Sequence, residues 1–189
     1  PYGRTKLMCE EIIRDHFNAI GGQFALLRYF NAAGADPMGQ LSERHDPETH
    51  LIPLALMAAA GLRPPLEVFG TDYDTPDGTG VRDYIHVTDL AAAHLLALEA
   101  LIAQPARSHL LNCGYGRGFS VLEVLDAVDR ATNNPIRRVM TGRRAGDPGK
   151  LISDNSAILQ TFPWQPRYAD LDQIVAHALA WERTLGDRA

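Results

Sequence analysis

The feature that most constrains this chain is an alternation of two hydrophobic periods. Short apolar runs read as strands: "FALLRYF" (24–30), "LEVFG" (66–70), "VRDYIHV" (81–87), "SHLLNCG" (108–114) and "IRRVM" (136–140). Between them lie longer stretches with apolar residues at helical spacing. Helices are expected over 2–20, 50–61 and 88–103, from Ser120 onward, and near 154–162 and 170–185. A helix between two strands carries the chain back across a sheet, so the strands should pair mainly in parallel. An α/β fold follows.

Punctuation supports these boundaries. Gly21 and Gly22 form a natural end for the first helix, whose Leu7, Met8, Ile12 and Ile13 share a stripe. Thr88 is placed to cap the helix that begins there, with Asp89 and Leu90 entering it. Residues 31–49, including "NAAGADPMGQ", read as a long loop of the kind that usually carries function.

At 189 residues, 46% of them hydrophobic, the chain can build one core or an uneven pair. A formal charge of −5 spread along the chain gives no basic footprint for nucleic acid. The longest apolar stretch, "LIPLALMAAAGL", is too short to span a membrane and carries Pro53 near its start, so it reads as a buried helix. Cys9 and Cys113 are far apart with no CxxC, which suits a reducing cytoplasm.

Three motifs look more functional than they are. "GYGRG" (114–118) follows a strand and precedes a helix, as a dinucleotide fingerprint does, but Phe119 stands where the third glycine belongs. It reads as a tight strand-to-helix turn. "DYDTPDG" (72–78) resembles a calcium loop with its spacing off by one and no Glu at the twelfth position. His45 and His50 are five apart and His86 and His94 eight apart, neither matching a zinc ligand set, so no metal site is expected.

"PYGRTK" is different in kind. It puts Tyr2 four residues before Lys6, about one helical turn, so phenol and ammonium share a face. A free Tyr, with a pKa of ~10, is a poor base at neutral pH, and a nearby ammonium favours its phenolate. Such a Tyr can take a proton from an alcohol while a cofactor takes the hydride. Alone, the YxxxK spacing arises by chance on many amphipathic helices.

The helix bearing it is followed by "LLRYFNAAGADPMG" (26–39), then "DGTGVRDYIHVTDLA" (77–91), then "RRAGD" (143–147). In that order these motifs resemble the UDP-glucose 4-epimerases, a group within the extended short-chain dehydrogenase/reductase family, over essentially the whole chain. The resemblance implies that residues 1–35 end an NAD-binding Rossmann domain. Residues 36–189 would mainly form a UDP-sugar-binding domain, with 82–103 returning to the Rossmann domain. A dinucleotide-binding half would precede Tyr2, and the 189 residues alone are expected to be inactive.

The same resemblance implies NAD as cofactor, UDP-glucose and UDP-galactose as substrates interconverted through a 4-keto sugar, and a homodimer. Tyr2 would exchange a proton with the sugar 4-hydroxyl. Lys6 would hold the nicotinamide ribose and tune Tyr2, with Tyr29 and Phe30 lining the nicotinamide and sugar. Asn31, and His50 with Leu51, would lie at the diphosphate, and Arg82 and Arg144 would pair with its oxygens. Leu66 and Phe69 would sandwich the uracil, Tyr84 would join the substrate site, and Asp147 would accept from the uridine ribose.

Two positions depart from the family pattern. His50 stands where many relatives have Asn. Leu151 stands where some carry a Tyr that closes the sugar pocket, and its smaller side chain would leave room for a 2-acetamido group, adding UDP-GlcNAc to the expected substrates. The alternatives are a dehydratase, decarboxylase or pentose 4-epimerase of the same family, or a non-catalytic nucleotide-sugar binding module. "DGTGVRDYIHV" favours the hexose epimerase.

Overall fold

The computed structural model describes residues 2–104 and 106–186. Helix α1 (Tyr2–Ile20) stops at Gly21, whose φ of 73° lies in the left-handed region that glycine adopts without penalty. The chain then enters β1 (Ala25–Tyr29), which pairs in parallel with β6 (His109–Cys113) in the register Ala25 to His109 through Tyr29 to Cys113. Arg28 on β1 holds α1 through Glu10, with Nε 2.7 Å from Oε1.

Two further parallel pairs follow. Strand β2 (Asn31–Ala33) lies beside β5 (Tyr84–His86), and β3 (Leu66–Phe69) beside β8 (Arg138–Thr141). Strand β4 (Val81–Arg82) is central in a small mixed sheet, antiparallel to β7 (Phe119–Ser120) and parallel to β9 (Lys150–Leu151). The α/β class with mostly parallel pairing is therefore what forms. Strands β2, β7 and β9 fall where loop was expected, and Asp83 interrupts the run "VRDYIHV" between β4 and β5.

The remaining helices are α2 (Leu51–Ala59), α3 (Val87–Ala103), α4 (Val121–Thr132), α5 (Ser156–Thr161) and α6 (Leu171–Gly186). Thr88 does not cap α3. Strand β5 runs straight into the helix, so Thr88 is already in the first turn, and its backbone N–H donates to Nδ1 of the true N-cap, His86, at 3.1 Å. Helix α4 starts on Ser120, as its sequence suggests: the Ser120 hydroxyl accepts from Glu123 N, and the Glu123 carboxylate accepts from Ser120 N.

Two apolar cores result. One packs α2, α4 and α6 over β3, around Ile52, Leu56, Val68, Leu125 and Ile174. The other packs α3 and α5 against β5 and β6, around Ile85, Ala93, Leu111, Ile158 and Trp164. The second core thus joins β6 and residues 158–164 to Ile85 and α3, with Ala25 and Leu27 of β1 packed against it.

Helix α1 buries no residue: Ile13 and Phe17 are half-buried, whereas Leu7, Met8 and Ile12 are exposed. Cys9 is exposed, Cys113 buried, and both are free thiols. No helix among the described residues is long and apolar enough to cross a membrane.

Candidate active site

A cleft of about 620 Å³ runs past the start of α2, the strands β3 and β4, and the C-terminal half of α6. Asn31, His50, Leu51, Leu66, Phe69, Arg82, Tyr84, Arg144 and Asp147 all line it. These residues span more than a hundred positions of sequence, and the parallel register is what gathers them. Asn31 sits opposite Tyr84, and its N–H donates to the Asp83 carbonyl at 2.9 Å. Arg82 sits opposite Leu151 in the β4–β9 ladder.

Asp83 anchors this wall. Its side chain is fully buried and accepts from Tyr115 N (3.0 Å), Gly116 N (3.1 Å), Ser153 N (3.2 Å) and the Ser153 hydroxyl (2.6 Å). A buried carboxylate survives only when its lone pairs are met in this way. Asp83 is therefore not a surface ion-pair partner of Arg82, whose Nη1 donates to the Val81 carbonyl at 2.9 Å. Burial also pushes the Tyr84 phenol well above its ordinary range, so it stays neutral.

Arg144 adds a further cation to the lining. The Arg144 guanidinium lies 3.7 Å above the Phe69 ring, a cation–π arrangement that leaves its edge able to meet phosphate oxygens. Neighbouring Arg143 turns away, stacking 4.3 Å over Tyr73 and pairing with Asp72 at 2.7 Å. Tyr73 props the loop, its hydroxyl donating to the Asp147 carbonyl at 3.4 Å.

Leu66 differs from expectation. Along a strand successive side chains face opposite ways, and Leu66, with Val68, turns into the core at 3% exposure. Leu66 and Phe69 therefore lie on opposite faces of β3, and of the two only Phe69 offers a ring to the cleft.

Tyr2, Lys6, Tyr29 and Phe30 are not gathered into the cleft. The Lys6 ammonium lies 5.5 Å from the Tyr2 ring centroid, so the helix does place the pair on one face, and Tyr2 is 76% exposed. Tyr29 is exposed at the carboxyl end of β1, and Phe30 is half-buried. The carboxyl ends of parallel strands are where ligands bind in open α/β sheets. Asn31, the next residue but one after Tyr29, joins this strand end directly to the cleft.

Two decoy motifs acquire structural explanations. The N–H groups of Tyr115 and Gly116 in "GYGRG" are spent on Asp83, so the turn has no phosphate cradle to offer there. In the acidic loop, Asp77 accepts from Thr79 N, the Thr79 hydroxyl and the Ser120 hydroxyl, while Asp72 is paired with Arg143.

Other cleft residues escaped the sequence reading. Arg63 lines the cleft with its Nε buried and unpartnered among the described residues. Glu43, Trp181 and Glu182 line its mouth, and burial together with the Glu48 and Glu43 carboxylates pushes the Glu182 carboxyl up. No local signal marks them, because α6 is distant in sequence from every motif.

A family model described as "NAD dependent epimerase/dehydratase family" matches residues 1–114. The UDP-glucose 4-epimerase of Azospirillum brasilense is 49% identical over 185 residues, covering 98% of this chain and 53% of that protein. A UDP-glucose 4-epimerase from Brucella ovis, solved in complex with NAD, superposes with a TM-score of 0.89 at 49% identity, over 95% of this chain and 56% of that one. The UDP-Glc/GlcNAc 4-epimerase of Campylobacter jejuni superposes at 0.78 with 45% identity, over 97% and 56%. The chain thus spans about half the length of the curated relatives it matches.

Proposed function

We propose, because this chain belongs to the NAD dependent epimerase/dehydratase family, that its complete protein interconverts UDP-glucose and UDP-galactose through a 4-keto sugar, using NAD. The observation that carries this reading is the cleft itself: nine residues from five separate segments converge on it, among them the guanidiniums of Arg82 and Arg144, suited to a diphosphate. The relatives named UDP-glucose 4-epimerase support the same substrate.

NAD supplies a reversible hydride acceptor when bound. The protein's part is positioning and proton transfer. Tyr2 takes the proton of the sugar 4-hydroxyl and later returns it, and Lys6 on the same helical face favours the phenolate and holds the ribose. Tyr29 and Phe30 line the nicotinamide side. Arg82 and Arg144, with Asn31, His50 and Leu51, grip the diphosphate, since a guanidinium fork matches phosphate oxygens. Phe69 and the Leu66 backbone bracket the uracil, Asp147 accepts from the uridine ribose, and Tyr84 completes the wall. Holding the nucleotide firmly leaves the hexose free to turn and present its other face.

The decisive experiment incubates the full-length protein with NAD and UDP-galactose and follows products by NMR. UDP-glucose supports the assignment. A dehydrated or decarboxylated nucleotide sugar would transfer it to another member of the family, and binding without turnover to a non-catalytic module.

Three finer assignments belong to the same proposal. UDP-GlcNAc is also accepted, because Leu151 lies beside Arg82 in the ladder, half-exposed and without a ring to close the pocket; the Campylobacter relative handles both sugars by its name. Failure to turn over UDP-GlcNAc while epimerising UDP-glucose would refute this. The protein is a homodimer through α1, whose Leu7, Met8 and Ile12 are exposed. The protein is cytoplasmic, a reading its two free thiols support.

A further inference from the structure

Between β2 and α2 the chain folds back so that Glu43, His45 and His50 converge, each offering a ligand atom within 4.8 Å of the others. His45 Nε2 is 2.9 Å from Glu43 Oε2, and His50 Nδ1 is 3.8 Å from Glu43 Oε1. The two imidazole centroids are 4.8 Å apart. Two histidines closing on one carboxylate form a donor set, distinct from an ordinary acidic cluster.

The loop is anchored where a metal site would need it. Trp181 of α6 donates its indole N–H to the Glu43 carbonyl at 3.2 Å. Glu48 Oε1 accepts from the N–H groups of Thr49 (2.6 Å) and His50 (2.7 Å) and lies 2.8 Å from His50 Nδ1. His50 Nδ1 thus faces both carboxylates, Glu48 at 2.8 Å and Glu43 at 3.8 Å, and is the His50 atom turned to the cluster.

We infer that this chain binds one zinc-like divalent cation through Glu43, His45 and His50, with the Glu48 carboxylate beside the His50 ligand atom. Two imidazoles and a carboxylate suit zinc and leave a fourth position open. Ligand atoms around tetrahedral zinc stand roughly 3.3 Å apart, so the side chains draw in by about 1.5 Å. His45 and His50 are about half exposed and have the freedom to do so. The ion takes the place of the hydrogen bond between His45 Nε2 and Glu43 Oε2. Since Glu43 and His50 also line the cleft, the ion sits on its wall and ties the loop to α6.

The test uses the full-length protein, stripped by a chelator and titrated with Zn2+ by calorimetry and with Co2+ by visible absorption. One equivalent per chain, with intense Co2+ bands of a low-coordinate site, is expected. His45→Ala and Glu43→Gln, each shown by circular dichroism to fold like the parent, should lose those bands and the zinc-induced rise in Tm. The inference is overturned if the parent protein binds no ion, or if His45→Ala keeps the same bands. No readout depends on turnover, so the outcome is separate from that of the epimerase assignment.

Discussion

The Ser153 hydroxyl donates to the Asp83 carboxylate at 2.6 Å, both residues buried, and this contact ties the β9 side of the fold to the strand segment that holds Arg82 and Tyr84. Asp83→Ala would leave Tyr115 N, Ser153 N and the Ser153 hydroxyl unpaired, Gly116 N keeping Ser153 Oγ, and is expected to cost at least about 3 kcal/mol, whereas Ser153→Ala should cost about 1–2 kcal/mol. Gly114→Ala should resemble the former, because a Cβ there would collide with Ser153 Oγ and Asp83 Oδ2. Urea denaturation of the three variants checks the order.

His86 makes stability depend on pH. Burial, with the His177 ring as the second cause, lowers its pKa to about 4, while Asp89 and Asp36 oppose the shift. Between 6.5 and about 4 the unfolded chain therefore binds a proton that the folded chain refuses. The stabilisation is complete above pH 6.5 and drains away as pH falls to about 4, by roughly 3 kcal/mol. Denaturation across that window should show the slope, and His86→Gln should flatten it.

Removal of the phenolic oxygen should separate chemistry from binding. In the full-length protein Tyr2→Phe should lower kcat by about 100-fold or more, in line with the contribution of general acid–base catalysis, with KM for UDP-galactose changed little. Steady-state kinetics decide it. An equal loss in the Asp83→Ala variant would point to misfolding rather than proton transfer.

Arg144 should resist its conservative replacement. A lysine cannot lie flat on Phe69 and reach phosphate oxygens with a planar fork. Arg144→Lys is expected to raise KM for the UDP-sugar by about 10-fold or more, the worth of a charged hydrogen bond, with kcat nearly preserved. An unchanged KM would remove Arg144 from the diphosphate site.

The exposed face of α1 should carry assembly. Met8→Glu with Ile12→Glu places charges at 57% and 68% exposed positions, where the isolated fold tolerates them and a dimer contact would not. Light scattering on the full-length variant should report a monomer where the parent is a dimer.

The sequence by itself determined the α/β class, the parallel pairing and the helix ends at Gly21 and Ser120, because each rests on a period or a cap that neighbouring residues supply. Its resemblance to the epimerase family also pointed to nine residues that line one cleft. Only the tertiary structure decided the rest. Strands β2, β7 and β9 are two or three residues long, too short to show an alternation, and they exist because a partner strand completes their hydrogen bonds. His86 displaced Thr88 as the cap because β5 runs directly into α3. Leu66 turned inward because the core claimed that face of β3. Asp83 became a hub, and Glu43, His45 and His50 came together, through contacts between segments whose spacing carries no period: packing distant parts of the chain sets those distances, and local pattern cannot encode them.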